Sequence, residues 1–234
     1  MQGVFITGSD TGVGKTAIGA ALAWQLALQG LAVRPRKPVE SGYAADQDGL
    51  GGGDAELYHG AVGGREPLAR IRRYRFRAPL APARAAALEG QALKLNDLIA
   101  ACRDGVDPGD FLLVEGAGGF YSPIAGDGLN ADLAVALGLP VLVVSADRLG
   151  AIHQALVTAE AVMRRGLTLA GVVLNQVAPR ADPQMDNGAD LARWLGCDPV
   201  VIGHQDTPGD TLVWRAIAPG LASLAASLAS GAGS

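Results

Sequence analysis

The sequence predicts an α/β protein, a mostly parallel sheet flanked by helices on both faces. Three observations lead there. Short apolar runs alternate with helical patterns along the 234 residues, the order that builds parallel sheets. Phe111-Leu112-Leu113-Val114 is apolar without a break, as in a strand covered on both sides. The first apolar run, Val4-Phe5-Ile6, leads through Gly8-Ser9-Asp10-Thr11-Gly12-Val13-Gly14-Lys15-Thr16 into an alanine-rich helical pattern from Ala17 to Leu28. Strand, glycine loop, Gly-Lys-Thr and helix in that order make a phosphate-binding loop. The fold class is therefore a single-domain P-loop NTPase fold spanning 1–234.

Composition agrees. Hydrophobic residues make up 49% and charged ones 18%, which argues against disorder. The net charge of −4 suggests no nucleic-acid surface. No apolar run approaches the roughly 20 residues of a membrane span, and no signal peptide is visible. Cys102 and Cys197 have neither metal nor redox spacing; both read as buried small apolar residues in a reducing cytosol. Of 19 basic residues only Lys15, Lys37 and Lys94 are lysine. Where arginine serves as the general cation, a retained lysine marks a need for a compact point charge. Lys94 lies in a polar stretch and reads as surface.

The elements come in order. Strand 3–7 precedes helix 15–29, which Gly30 ends. Strand 31–37 stops at Pro38. Loops after parallel strands line the ligand crevice, so Lys37 and Ser41 should open onto the P-loop's rim. A helix begins at Asp54, where a helix cap is the plain reading. The stretch 65–84 carries seven arginines and reads as a solvated strand and loop rather than a phosphate lid. Helices 83–89 and 95–103 precede strand 111–114, which ends in Glu115-Gly116-Ala117-Gly118-Gly119. An acidic residue there is placed to act on Mg²⁺ beside the P-loop. Helix 131–138, strand 139–146 and helix 151–165 come next. Strand 170–174 ends at Asn175-Gln176, whose amides can read a base edge. The lysine and aspartate of guanine readers are missing there, which favours adenine. Helix 187–196, strand 199–202 and helix 220–229 finish the chain, and 231–234 should fray.

In the P-loop, backbone amides and the helix N-terminus face an anion. Lys15 reaches the outer phosphates, and the Thr16 hydroxyl takes Mg²⁺. Ser9 stands where the first glycine is usual, with Gly8 one residue early.

Together, the P-loop, Lys37-Pro38-Val39-Glu40-Ser41-Gly42, Gly53-Asp54-Ala55, Val114-Glu115-Gly116-Ala117-Gly118-Gly119 and a strand ending in Asn175 resemble the dethiobiotin synthetase family of biotin biosynthesis. The likeness runs from residue 3 to about residue 208 and includes the displaced glycine. It implies an ATP- and Mg²⁺-dependent ligase that carboxylates 7,8-diaminononanoate with CO₂ and closes the cyclic urea. It implies nucleotide contacts from Gly12, Val13, Gly14, Lys15, Thr16, Ala17, Asp54, Glu115, Gly116, Ala117, Gly118, Asn175, Gln176 and Asp206. Metal ligation falls to Thr16, Asp54 and Glu115. Catalysis falls to Lys37 and Lys15. The substrate would meet Thr11, Lys37 and Ser41, and its carboxylate would meet Gly150, Ala151, Ile152 and His153 across a homodimer interface. A cytoplasmic enzyme is implied.

Three departures stand out. His153-Gln154 replaces the family's Asn-His. Pro79-Leu80-Ala81-Pro82-Ala83 lacks a histidine after its second proline. Gly203-His204-Gln205-Asp206-Thr207-Pro208 alters the base-binding loop. The alternatives are a small-molecule kinase with the arginine-rich stretch as lid, and a regulatory P-loop ATPase. The partitioning type of the latter carries an early P-loop lysine that Ser9-Asp10-Thr11 does not supply.

Overall fold

The computed structural model describes residues 1–42, 53–179, 182–205 and 212–231. Strand β1 (Gln2–Gly8) enters the P-loop, and helix α1 (Lys15–Leu28) leaves it. Strand β2 (Val33–Arg36) ends before Lys37, and Pro38 keeps the chain from continuing it. The chain resumes as β3 (Val39–Ser41), outside the main sheet. Helices α2 (Asp54–Ala61) and α3 (Leu68–Ile71) come next, then β4 (Tyr74–Phe76), which pairs with β3 in parallel. Neither β3 nor this pairing can be read from the sequence pattern, because three-residue strands carry no periodicity.

Helix α4 (Pro82–Leu88) opens on Pro82 at its first position, where the missing N–H costs nothing. Helix α5 (Leu95–Arg103) leads to β5 (Phe111–Gly119). That strand runs five residues past the expected 111–114, because its pairing with β1 resumes at Gly119 after a bulge in which Gly118 takes a φ of 78°. A short hairpin, β6 (Pro123–Ala125) and β7 (Gly128–Leu129), feeds α6 (Asn130–Leu137). Then come β8 (Val141–Ala146), α7 (Ala151–Arg164), β9 (Leu169–Asn175), α8 (Asn187–Leu195) and β10 (Val200–Ile202). The closing segment is α9 (Val213–Ile217), a 3₁₀ turn at Ala218–Leu221, and α10 (Ala222–Ala229). The sequence pattern predicts a helix over 220–229, and α10 covers 222–229 of it; its first two positions belong to the preceding 3₁₀ turn.

The main sheet has six strands in the order β10-β9-β8-β1-β5-β2, and every pairing is parallel. Alternate residues serve different cores. Val4, Ile6, Phe111 and Leu113 join α1, α2, α9 and α10 on one face. Phe5, Leu112 and Val114 join α5, α6 and α7 on the other. This double covering is why β5 reads as an unbroken apolar run. Strand β2 lies at the edge, where Pro35 removes no needed ladder donor.

Two expectations fail here. Cys102 is buried, and its thiol is pushed up to about 12 by burial, but Cys197 is exposed. It stands just after the C-terminal glycine of α8, a surface turn whose position no cysteine spacing reveals. The arginine-rich stretch is not wholly solvated either. Arg72 is half-buried, with its side chain 12% exposed, between Glu40 and Glu56. Lys94 is on the surface, as expected.

Candidate active site

The carboxyl ends of β1 and β5 lie side by side, Ile6 opposite Glu115 and Gly8 opposite Gly119. This register places the P-loop beside the acidic end of β5. Gly8 explains the displaced glycine. A Cβ there would lie 2.5 Å from the Asp10 carbonyl and 2.9 Å from Lys15 Nζ. The loop folds back over its own strand, and Lys15 Nζ donates to that carbonyl at 3.2 Å. Ser9 uses the place of the usual glycine as an anchor, donating to Ser145 Oγ on β8 at 2.9 Å. Gly14, at φ 89°, makes the left-handed turn into α1.

Three predicted side chains, Lys37, Thr16 and Asp54, gather at Glu115, which is 1% exposed. Lys37 Nζ donates to Glu115 Oε1 at 2.5 Å and lies 2.9 Å from Asp54 Oδ2. Thr16 Oγ1 donates to Glu115 Oε1 at 3.1 Å and also bonds Asp54. Asp54 therefore does not cap its helix. Gly53 is the cap residue, and the Asp54 carboxylate turns into the site. The reason is tertiary: a buried ammonium attracts a carboxylate more strongly than helix N–H groups do.

Burial sets the electrostatics. It works against the charge on Lys37, but Glu115 and then Asp54 more than offset it, so the pKa is raised. Burial lowers the pKa of Lys15, with Glu115 opposing. Burial raises Asp54, but Lys37 outweighs it and the carboxyl stays below its ordinary value.

Tyr58 is a site neighbour that sequence reading misses. Its hydroxyl donates to Glu115 Oε2 at 2.8 Å, and it is fully buried. Burial first, then Glu115, pushes its pKa well above normal, so it stays a donor. A Cβ on Gly19 would strike that hydroxyl at 1.9 Å. The signal lies in that pairing, a helical glycine facing an aromatic four residues after Asp54, which only contact reveals.

The remaining predicted residues are distributed around this centre. Thr11 and Gly12 are exposed, Val13 is buried, and Ala17 is half-buried. Thr11 lies over Gly118, where a Cβ would approach its hydroxyl at 3.6 Å. The Gly116 carbonyl accepts from Lys37 at 3.3 Å, and Ala117 N–H donates to Asn130 Oδ1 at 2.9 Å. Ser41 lies on β3, paired with Phe76. Gly150 caps α7 in the left-handed conformation; Ala151 is buried, Ile152 half-buried and His153 exposed.

At the end of β9, Asn175 Nδ2 donates to the Val13 carbonyl at 3.0 Å, tying that strand to the P-loop. Gln176 Nε2 donates to Asp147 at 3.0 Å, and Gln176 Oε1 accepts from His204 N–H at 3.2 Å. Both amides thus hold the protein's own loops together. Asp206, Thr207 and Pro208 lie outside the described residues.

Among the described residues no three or more His, Cys, Asp or Glu side chains form a metal cluster. The hydroxyl and two carboxylates of Thr16, Asp54 and Glu115 are nevertheless hard oxygen donors drawn to one place. That partial set suits Mg²⁺, which usually takes one or two carboxylates and completes its shell with phosphate oxygens and water.

A parallel sheet, a glycine loop at the end of its central strand and buried lysines among carboxylates define a P-loop nucleotide-binding protein. A family model described as an AAA domain matches residues 2–204. The chain belongs to the ATP-dependent dethiobiotin synthetase family, a family of ligases. It is 43% identical over 203 residues to the ATP-dependent dethiobiotin synthetase of Anaeromyxobacter dehalogenans (strain 2CP-C), covering 86% of this chain and 89% of the relative. Against the synthetase of Anaeromyxobacter sp. (strain Fw109-5) it is 43% identical over 201 residues, covering 86% and 88%. The fold is shared more widely. The MinC:MinD cell division complex of Aquifex aeolicus gives a TM-score of 0.56 at 15% identity, covering 97% of this chain and 95% of that one. A ParA family ATPase of Chlorobium tepidum gives 0.56 at 13%, covering 97% of each.

Proposed function

We propose that this protein carboxylates 7,8-diaminononanoate with CO₂ and closes the product to dethiobiotin, using MgATP and releasing ADP and phosphate. The carrying observation is the meeting of Lys37 with Glu115 and Asp54 beside the P-loop, at 2.5 and 2.9 Å. Family membership supports the same reading.

The chemistry proceeds in three steps. One substrate amine adds to CO₂, loses a proton and becomes a carbamate. A carbamate oxygen attacks the γ-phosphorus; the bond to the bridging oxygen breaks, giving a carbamic–phosphoric anhydride and ADP. The second amine attacks the carbamoyl carbon, phosphate leaves, and the cyclic urea forms. Phosphoryl transfer of this kind needs positioning and charge neutralisation more than covalent help. Lys15 and the P-loop amides hold the β and γ oxygens. Lys37 holds the carbamate and the moving phosphoryl group as a fixed cation. Thr16, Asp54 and Glu115 hold Mg²⁺, which supplies neutralising charge to the phosphates. Thr11 and Ser41 bond the amine and carbamate end. The α7 N-terminus receives the substrate carboxylate, from the partner protomer of a homodimer. Asn175, Gln176 and the loop through Asp206 frame the base.

Dependence on ATP and the free Cys102 and Cys197 fit a reducing, ATP-supplied compartment, and we place the enzyme in the cytoplasm. No helix among the described residues is long and apolar enough to cross a membrane.

The reading is tested by phosphate release from MgATP with 7,8-diaminononanoate, with and without bicarbonate, while the urea is followed by mass spectrometry. Phosphate and urea should appear together and only with bicarbonate. A stable phosphorylated amine would instead indicate a kinase. At the P-loop, Lys15→Ala should weaken ATP binding itself, read by calorimetry; unchanged affinity would remove Lys15 from the phosphate site.

A further inference from the structure

We propose that Glu40, Arg72 and Glu56 form a partly buried clasp that fixes the direction of the Asp54 carboxylate, with Arg72 as a positioning residue for the metal–phosphate site. This rests on the reading of Asp54 given above. Arg72 Nη1 lies 3.0 Å from Glu40 Oε2 and 3.1 Å from Glu56 Oε2. Glu40 Oε1 accepts the Ala55 N–H at 2.8 Å, and Glu56 Oε2 accepts the Gly53 N–H at 3.0 Å. Residues 53 and 55 are the neighbours of Asp54. One guanidinium therefore pins the two carboxylates that hold the backbone on either side of it.

The arrangement answers a local need. The first N–H groups of a helix have no partner within it. Here the cap residue is glycine, with no side chain to supply one. The acceptors come instead from Glu40 on β3 and Glu56 in the helix's own first turn, and Arg72 of the arginine-rich stretch donates to both carboxylates. Gly53 leaves the room in which the clasp closes. A Cβ there would meet Glu40 Oε2 at 2.9 Å, Glu56 Oε2 at 3.0 Å and Arg72 Nη1 at 3.2 Å. Its φ of −112° suits any residue, so what a Cβ here would disturb is the ends of these three side chains, the clasp itself. Arg72 also balances two carboxylates that would otherwise repel Asp54. Stability alone does not explain the cluster, since well-packed apolar side chains often replace buried ion groups without loss.

The test measures ADP affinity by calorimetry with and without Mg²⁺, and amide hydrogen exchange over residues 53–58 of the ligand-free protein. Arg72→Met should cut the Mg²⁺-dependent gain in ADP affinity about tenfold or more, as removing a partner of a metal-holding group does. Metal-free ADP affinity should hold, and exchange at 53–56 should quicken. Gly53→Ala should act the same way with no change of charge, and covers the case in which Arg72→Met does not fold. Arg72→Lys should restore part of the gain. If Gly53→Ala and Arg72→Met keep the gain, or lose metal-free and metal-loaded affinity alike, the clasp has no such role. Asp54→Asn separates the two readings. If it keeps the gain, the reading of Asp54 itself fails. If it removes the gain while Arg72→Met keeps it, only the clasp fails.

Discussion

Lys37→Ala is expected to lower turnover by at least about 10²-fold, the loss typical when a preorganised charge group is removed, while MgATP still binds. The expectation comes from the surroundings of the ammonium. Lys37 is 5% exposed and touches Glu115, Asp54 and the Gly116 carbonyl. Charge held in so dry a place acts on a developing anion with little screening by water. In the proposed mechanism it needs no reorganisation when the carbamate attacks. Lys37→Arg should recover little, because a planar fork cannot take the place of a point charge between two carboxylates. The check is kcat against ATP affinity, measured on protein whose melting curve confirms folding. Near-normal kcat in Lys37→Ala would falsify the mechanism proposed for this residue.

The largest stability effect should come from a residue far from the chemistry. Glu66→Ala is expected to cost about 3–5 kcal/mol, the range for breaking a buried ion pair. In a chain of this size that corresponds to a fall in Tm of roughly 6–20 °C. Arg36 is fully buried in β2, and its Nη1 donates to Glu66 Oε1 at 2.7 Å. Arg34, two residues earlier on the same strand, donates to Glu66 Oε2 at 2.9 Å and to Asp110 at 2.8 Å. Burial already lowers the pKa of Arg36. Without Glu66 its guanidinium keeps only the carbonyls of Pro35 and Asp104. A double variant, Arg36→Met with Glu66→Leu, should recover much of the loss. Thermal unfolding decides the matter. A Glu66→Ala change no larger than about 0.5 kcal/mol, as at an ordinary surface site, would show that water already screens Arg36.

Both effects concern side chains whose type was legible and whose partners were not. Lysine scarcity singled out Lys37 before any neighbour was known. The acidic end of an apolar strand singled out Glu115 in the same way. These signals are local: a run of side chains fixes a strand, and the residue after its last apolar position lies at the carboxyl rim. Asp54 shows the limit. By position it reads as a cap, yet it pairs with Lys37 across 17 residues of chain. Arg72 shows it again, since one clasped arginine among seven looks like the other six. Tyr58 left no trace, because its role depends on a glycine in another helix.

The class of fold, the strands of the main sheet, the P-loop and the family are all legible along the chain. That is because apolar periodicity, glycine placement and motif spacing all act within a few residues along the chain. Only the tertiary structure decided which carboxylates meet which cations: Lys37 with Glu115 and Asp54, Arg36 with Glu66, Arg72 with Glu40 and Glu56. The energy of such a pair depends on separation and burial, and packing of distant segments sets both.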